Sequence, residues 1–175
     1  ALEQRLASHR LPPTGWAARA LVFANGMAAI TTLLQVFRTA NPNMWPRAKK
    51  TPLSLHWFGG YFEITRALQL FCDDHLHGRK HARQANLCKV VSAGTADLIL
   101  IEPVAADIGL DVFDLDAFIE AWKQRQNKRP CTIVIDNSLS ADTFPVERLC
   151  HELAQDPPTL IVSIRSALKL YQEGL

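Results

Sequence analysis

The second half of this sequence carries four short, nearly continuous apolar runs, and these constrain its fold more than any other feature. The runs are "LCKVV", "ADLILIEPV", "CTIVIDN" and "TLIVSI". Apolar, β-branched runs of this length are typical of strands that are buried on both faces of a mostly parallel sheet. Each run is therefore predicted to form one strand of such a sheet.

Helices are predicted between these strands. The stretch "DLDAFIEAWKQRQNKRP" has Asp114 as a plausible N-cap and places Phe118, Ile119 and Trp122 on one helical face. The stretch "FPVERLCHELAQDPP" predicts a second helix between the third and fourth runs. Alternating strands and helices predict an α/β fold, with a mostly parallel sheet flanked by helices.

The first half of the chain has weaker patterns. Helical spacing of apolar residues appears over residues 1–9 and 26–39 and in "YFEITRALQLFCDDHL". The stretch "AARALVF" predicts a strand or a helix end before a turn at Asn25–Gly26, and "NPNMWPRAKKTP" predicts a loop. With 175 residues and 48% apolar composition, one domain over residues 1–175 is expected.

Charge and hydropathy exclude several classes of partner. The chain has 19 Lys and Arg against 17 Asp and Glu, and the resulting charge of +2 is spread along the sequence. We therefore expect neither nucleic acid nor an anionic membrane as a partner. The longest apolar stretch is interrupted by Arg19, Asn25 and Gly26, so no membrane span is predicted. The first ten residues lack the apolar centre of a secretory signal, which predicts a cytoplasmic protein.

The cysteines and histidines predict neither disulfides nor a metal site. The four cysteines are widely spaced and are expected to be reduced: Cys72, Cys88, Cys131 and Cys150. The stretch "DDHLHGRKH" contains four potential metal ligands: Asp73, His75, His77 and His81. His75 and His77 would diverge on a helix, and the basic neighbours Arg79 and Lys80 would repel a cation. A solvated polar segment without metal is therefore predicted.

Polar residues follow the predicted strands at their carboxyl ends, where ligands bind in open α/β sheets. Asp136 and Asn137 end the third run, Glu102 ends the second, and Ser163, Ser166 and Lys169 follow within the fourth run or shortly after it. A buried Asp136 needs a cationic partner, and an ion pair with Lys169 is the simplest interpretation. Alternatively, a carboxylate, an amine and the helix N-terminus at Asn25–Gly26–Met27 would converge on one ligand. These are the groups that pyridoxal phosphate (PLP) requires.

The order of "ANGMAAI", "YFEIT", "LILIEPV", "IVIDNS" and "SIRSALK" resembles the large domain of fold-type I PLP-dependent enzymes. The resemblance is greatest to the cystathionine γ-synthase-like, or Cys/Met metabolism, family, and it extends to "LEQRLA" at the start of the chain. In that family a Ser-Gly-Met turn opens the helix below the phosphate, an aromatic residue stacks on the pyridine ring, a strand ends in Asp-Asn, and Ser-x-Thr-Lys carries the Schiff base.

The resemblance implies a role for each matching residue. Asn25, Gly26 and Met27 would bind the phosphate with Ser166, Tyr61 would stack on the ring with Phe58 as a rival, and Asp136 would face the pyridine nitrogen. Lys169 would be the catalytic residue that forms the Schiff base and then moves the substrate's α-proton. No metal ligand is implied.

Three positions depart from the family pattern. Asn25 replaces the usual Ser before Gly-Met, Leu168 replaces Thr before the lysine, and Ala105–Ala106 stands where the family offers Asn to the ring hydroxyl. These departures indicate a divergent member, or one without activity. The chain also ends six residues after Lys169. The resemblance therefore implies an incomplete large domain, without the family's N-terminal arm and C-terminal small domain.

The expected function is PLP-dependent β- or γ-elimination or replacement on an amino-acid substrate, in a homodimer or homotetramer. An aminotransferase or a decarboxylase on the same scaffold is the alternative enzyme. A non-catalytic α/β interaction module is the alternative from another class. A nucleotide-binding Rossmann-like domain ranks last, because the chain has no GxGxxG turn.

Overall fold

The computed structural model describes residues 15–39, 51–105, 111–140 and 143–166. In chain order, the elements are α1 (Gly26–Arg38), β1 (Leu53–Phe58), α2 (Phe62–Phe71), β2 (Leu76–His81), α3 (Gln84–Ala93), β3 (Leu98–Ile101), α4 (Leu115–Lys123), β4 (Thr132–Asp136), α5 (Val146–Glu152) and β5 (Leu160–Ile164). Strand and helix alternate from β1 onward, which confirms the predicted α/β fold.

Within the described residues, the five strands are parallel and form one sheet in the order β2-β1-β3-β4-β5. The central strands β3 and β4 are buried along their whole length, as their continuous apolar sequences predict. Strand β5, at one edge, is only partly buried. The sequence prediction was correct for these three strands.

Helices cover both faces of the sheet. On one face, α1 and α2 pack their buried residues against the sheet, and this core includes Ile30, Leu34, Ile64, Leu68, Leu55 and Leu100. On the other face, α3, α4 and α5 contribute Leu87, Phe118, Trp122 and Leu149 to a second core around Ile99 and Ile133. Asp114 caps α4 as predicted, accepting a hydrogen bond from the Ala117 N–H at 3.0 Å.

The prediction of a strand at "LCKVV" was wrong, because these residues lie in α3. Leu87 and Val91, four residues apart, are both buried, whereas Lys89 between them is exposed. A five-residue apolar run fits either a strand or one face of a helix, and here the i, i+4 spacing decides. Gly94 ends the helix in the left-handed conformation, with φ of 63°.

Two strands were not predicted, and both lie at or next to a sheet edge. In β1, "LSLHWF", buried and partly buried residues alternate over the first four positions. In β2, "LHGRKH", only the first and last residues are buried, because this strand forms the edge of the sheet. The stretch predicted to be a solvated polar segment is therefore largely an edge strand, whose charged residues protect it from pairing with other chains.

His81 pairs with His56 of β1. The two rings stack with centroids 5.2 Å apart, and a hydrogen bond of 2.9 Å joins Nδ1 of His56 to Nε2 of His81. Burial lowers the pKa of His56 from 6.5 to about 4, with smaller contributions from His81 and Arg79. Burial, and then the charge of Arg79, also lower the pKa of His81. Nowhere in the described ranges do three His, Cys, Asp or Glu side chains converge as metal ligands.

Predictions for the first 52 residues had mixed outcomes. The helix predicted over 26–39 is α1, which ends at Arg38. The stretch 17–23 forms neither a strand nor a helix end, and its Leu21 and Val22 are exposed, so core packing does not hold it in a regular element. The predicted helix over 1–9 and most of the predicted loop over 41–52 lie outside the described residues. None of the described helices is long and apolar enough to cross a bilayer.

Candidate functional site

The carboxyl edge of the sheet carries a buried acid, Asp136, the last residue of β4. The residue is only 8% exposed, and its Oδ1 accepts a hydrogen bond from the Ser138 N–H at 3.0 Å. No cation in the described part of the chain forms an ion pair with this carboxylate. A buried carboxylate without a cationic partner costs free energy unless a ligand offsets that cost. Lys169, its predicted partner, lies outside the described residues.

The N-terminus of α1 lies at the same edge. Asn25 is its N-cap: its Oδ1 accepts a hydrogen bond from the Ala28 N–H at 2.8 Å, and its carbonyl accepts one from Ala29 at 3.2 Å. Gly26 and Met27 precede these donors, so no carbonyl within the helix accepts from their N–H groups. A helix start of this kind offers backbone donors and a positive dipole end to an anion.

Gly26 brings this helix start against the ends of β4 and β5. A Cβ atom added to Gly26 would lie 3.6 Å from the Ser138 Oγ, 3.9 Å from the Ile164 Cγ2 and 3.9 Å from the Ser166 Cβ. The first turn of α1, Ser138 and Ser166 therefore lie close together at this edge of the sheet, and we call this group of residues the α1 cradle. Backbone N–H groups and hydroxyls are suitable donors for a phosphate.

Tyr61 and Phe58 occupy different surroundings. The Phe58 side chain is 4% exposed and packs against Phe113 in the core, with ring centroids 5.7 Å apart. Tyr61 is only partly buried, and its hydroxyl donates a hydrogen bond to Glu63 Oε2 at 2.7 Å. This bond raises the pKa of Tyr61 to about 12, with smaller contributions from burial and from the charges of Glu63, Asp136 and Glu102.

Asn137, beside Asp136, joins the ends of β4 and β5. Its side chain is fully buried and donates to the Ser163 Oγ at 2.7 Å, while its Oδ1 accepts from the Ser140 hydroxyl at 3.0 Å. Its backbone N–H donates to the Ile164 carbonyl at 2.8 Å. Asn137 thus has a structural role: it fixes the carboxyl end of β5, two residues before Ser166.

Sequence reasoning missed Ser138 and the contacts of Glu102. Ser138 belongs to the α1 cradle and donates its N–H to Asp136. The Asp-x-Ser spacing of "DNS" is typical of an Asx turn and would have predicted this hydrogen bond. Glu102 accepts hydrogen bonds from the backbone of the turn before α2. The Gly-Gly pair of "FGGY" is the signal for that contact. Ala105 is buried in the core, and Ala106 and Leu168 lie outside the described residues.

Comparisons with known proteins identify solved structures that share the fold of this chain. No protein-family model matches the sequence, and no curated protein gives a significant match. Among solved structures, apo CalE6, described as a methionine gamma lyase from Micromonospora echinospora, is 20% identical and matches with a TM-score of 0.55, covering 80% of this chain and 33% of that one. A second CalE6 structure, described as a cystathione gamma lyase, is 19% identical and matches with the same score, covering 80% of this chain and 32% of that one.

A serine palmitoyltransferase variant from S. paucimobilis, with bound PLP–myriocin aldimine, is 18% identical and matches with a TM-score of 0.55, covering 93% of this chain and 38% of that one. This chain shares their fold. The fold expected from the sequence resemblance is thereby confirmed. The chain spans about a third of the length of these structures.

Proposed function

We propose that this chain is the cofactor-binding part of a PLP-dependent enzyme that acts on an amino acid by β- or γ-elimination or replacement. The observation that carries the proposal is the α1 cradle at the same sheet edge as Asp136, a buried carboxylate with no ion-pair partner in the described chain. The cradle fits a phosphate and the carboxylate fits a protonated ring nitrogen, so both ends of PLP have a matching group.

Each described residue has a defined task in this proposal. Gly26 and Met27 donate their N–H groups to the phosphate, and the Ser166 hydroxyl adds a further donor. Asp136 holds a proton on the pyridine nitrogen, while its Oδ1 stays oriented by the Ser138 N–H. When bound, PLP supplies an electron sink for a bond that breaks at the substrate's α-carbon.

Tyr61 is the aromatic residue that we assign to the cofactor ring. It lies just beyond the carboxyl end of β1 and is partly exposed, whereas Phe58 packs against Phe113 in the core. Asn25 contributes to phosphate binding indirectly, because its side chain caps the helix whose N–H groups make the contact.

Lys169 would hold the cofactor through its amine and would serve as the base for the α-proton of the substrate. It follows Ser166 by three residues. Elimination or replacement is proposed over transamination and decarboxylation because two of the matching structures are described as gamma lyases. Assembly into a homodimer or homotetramer remains a prediction.

The proposal is tested by titrating the purified protein with PLP, recording the visible absorbance, reducing with borohydride and mapping the adduct by peptide mass spectrometry. We expect a visible band and a stable adduct on Lys169 that is absent from Lys169→Ala. Lys89→Ala, which removes an exposed lysine of α3, serves as the matched control and should retain the adduct. A folded protein without band or adduct would contradict the proposal and would favour the non-catalytic module.

A further inference from the structure

The turn between β1 and α2, residues 59–61, is wrapped around the carboxylate of Glu102. Glu102 follows the last residue of β3 and is 4% exposed. Its Oε2 accepts hydrogen bonds from the Gly60 N–H at 2.9 Å and from the Tyr61 N–H at 3.0 Å. Two backbone donors on one carboxylate stabilise the buried charge and at the same time fix the path of the turn.

Gly59 makes this close approach possible. Its φ of 144° is a conformation that residues with a side chain rarely adopt, and a Cβ at this position would lie 2.3 Å from the Glu102 Cδ. Glycine is therefore the residue that both the turn and the carboxylate require.

The contact lies where the strand order changes direction. From β1 the chain moves outward to β2, and it then crosses to the other side of β1 to form β3. In open α/β sheets the carboxyl ends of strands at such a point border the ligand crevice. Tyr61 lies at this point, in the turn that follows β1.

We propose that Glu102 is a positioning residue for the Tyr61 ring. Glu102 fixes the backbone of Tyr61, and Glu63 holds its hydroxyl at 2.7 Å, so the ring is held at both ends. The inference rests on the proposed function, in which Tyr61 contacts the cofactor ring. Loss of the Glu102 contacts lets the turn relax and moves the ring.

The same strand provides a matched control. Asp97, just before β3, is also 4% exposed and accepts hydrogen bonds from the Ser54 N–H at 2.8 Å and the Ser54 hydroxyl at 3.0 Å. It lies at the amino edge of the sheet, away from the proposed site. Glu102→Gln and Asp97→Asn therefore each remove one buried charge that is bonded to a neighbouring strand or turn.

Two measurements are made on each variant. The first is the dissociation constant for PLP. The second is the NMR signal of ring-¹³C-labelled tyrosine in the absence of PLP, which is simple because the chain contains only Tyr61 and Tyr171. Tyr171→Phe assigns the two signals.

Glutamine keeps one acceptor oxygen but removes the charge that strengthens the two backbone hydrogen bonds. We therefore expect Glu102→Gln to shift the Tyr61 signal and to raise the dissociation constant about tenfold, whereas Asp97→Asn changes neither. If Glu102→Gln does not fold, Glu102→Asp, which withdraws the carboxylate by one methylene, is measured instead.

An unchanged Tyr61 signal in folded Glu102→Gln, or an equal shift in Asp97→Asn, would overturn the inference. A shifted Tyr61 signal with an unchanged PLP affinity would also overturn it. If the wild-type chain binds no PLP, the proposed function fails by itself, and the Tyr61 signal still decides whether Glu102 holds the ring.

Discussion

Replacing Gly26 by alanine tests whether the α1 cradle holds a phosphate. Gly26 is the first residue of α1 and does not have the positive φ that requires glycine. The added methyl group would meet Ser138, Ile164 and Ser166 at 3.6–3.9 Å, which is ordinary van der Waals contact. The folded chain therefore accepts the substitution without strain.

The structure predicts opposite effects on folding and on cofactor binding. The free energy of unfolding should rise by about 0.5 kcal/mol, because alanine restricts the unfolded chain more than glycine does. The methyl group enters the space assigned to the phosphate and prevents at least one hydrogen bond to a charged group. Such bonds contribute about 1.5–3 kcal/mol, so the dissociation constant for PLP should rise between about tenfold and 150-fold.

The assay combines urea unfolding of the apo protein with PLP titration followed by absorbance. Gln35→Ala is the matched control, because Gln35 lies on an exposed position of the same helix, away from its N-terminus. This control should leave the affinity unchanged. Gly26→Ala that binds PLP as tightly as the wild type would refute the placement of the phosphate, and destabilisation by more than about 2 kcal/mol would refute the steric reasoning.

Three further predictions concern the acid, the histidine pair and a helix end. Asp136→Asn should raise the free energy of unfolding of the apo protein, because it removes a buried charge that has no cationic partner in the described chain while the amide oxygen still accepts a hydrogen bond. The same substitution should weaken PLP binding at least about tenfold, and urea unfolding and PLP titration measure the two effects. As pH falls from 6.5 to about 4, His56 gains a proton in the unfolded chain but stays neutral in the folded chain, because its folded-state pKa is about 4. The free energy of unfolding should therefore fall by about 2 kcal/mol over this range, after allowance for the partial exposure of His56. Urea unfolding across that range should show this slope, and His56→Gln, which also removes the pairing with His81, should flatten it. Gly94→Ala places a Cβ 2.0 Å from the Asn127 carbonyl oxygen, at a φ of +63° that residues with a side chain rarely adopt. Thermal unfolding should therefore show that the free energy of unfolding falls by at least about 2 kcal/mol, and a decrease below about 0.5 kcal/mol would contradict this reasoning.

The strands of the sheet show how far local sequence reasoning reaches. β3, β4 and β5 were predicted because they are continuous apolar runs inside or beside the buried centre. β2 was missed because an edge strand needs few apolar residues. The run "LCKVV" was assigned to a strand because its hydrophobicity does not by itself distinguish a strand from the buried face of a short helix.

The sequence alone determined which chemical groups follow the strands and begin the helices. Asp136 ends an apolar run, and Asn25 and Gly26 form a capped helix start. These features depend on neighbouring residues, so periodicity and capping rules are sufficient to locate them.

Only the tertiary structure decided which of these groups meet. Gly26 lies beside Ser138 and Ser166, which are far from it in sequence, because parallel pairing of β4 and β5 aligns their carboxyl ends next to α1. The tertiary structure also decided that Phe58 and Tyr61 have different surroundings. Phe58 belongs to β1 and lies in the core, whereas Tyr61 lies in the turn after β1, whose backbone bonds to Glu102. Such contacts depend on strand order and packing between distant segments, which no local pattern encodes.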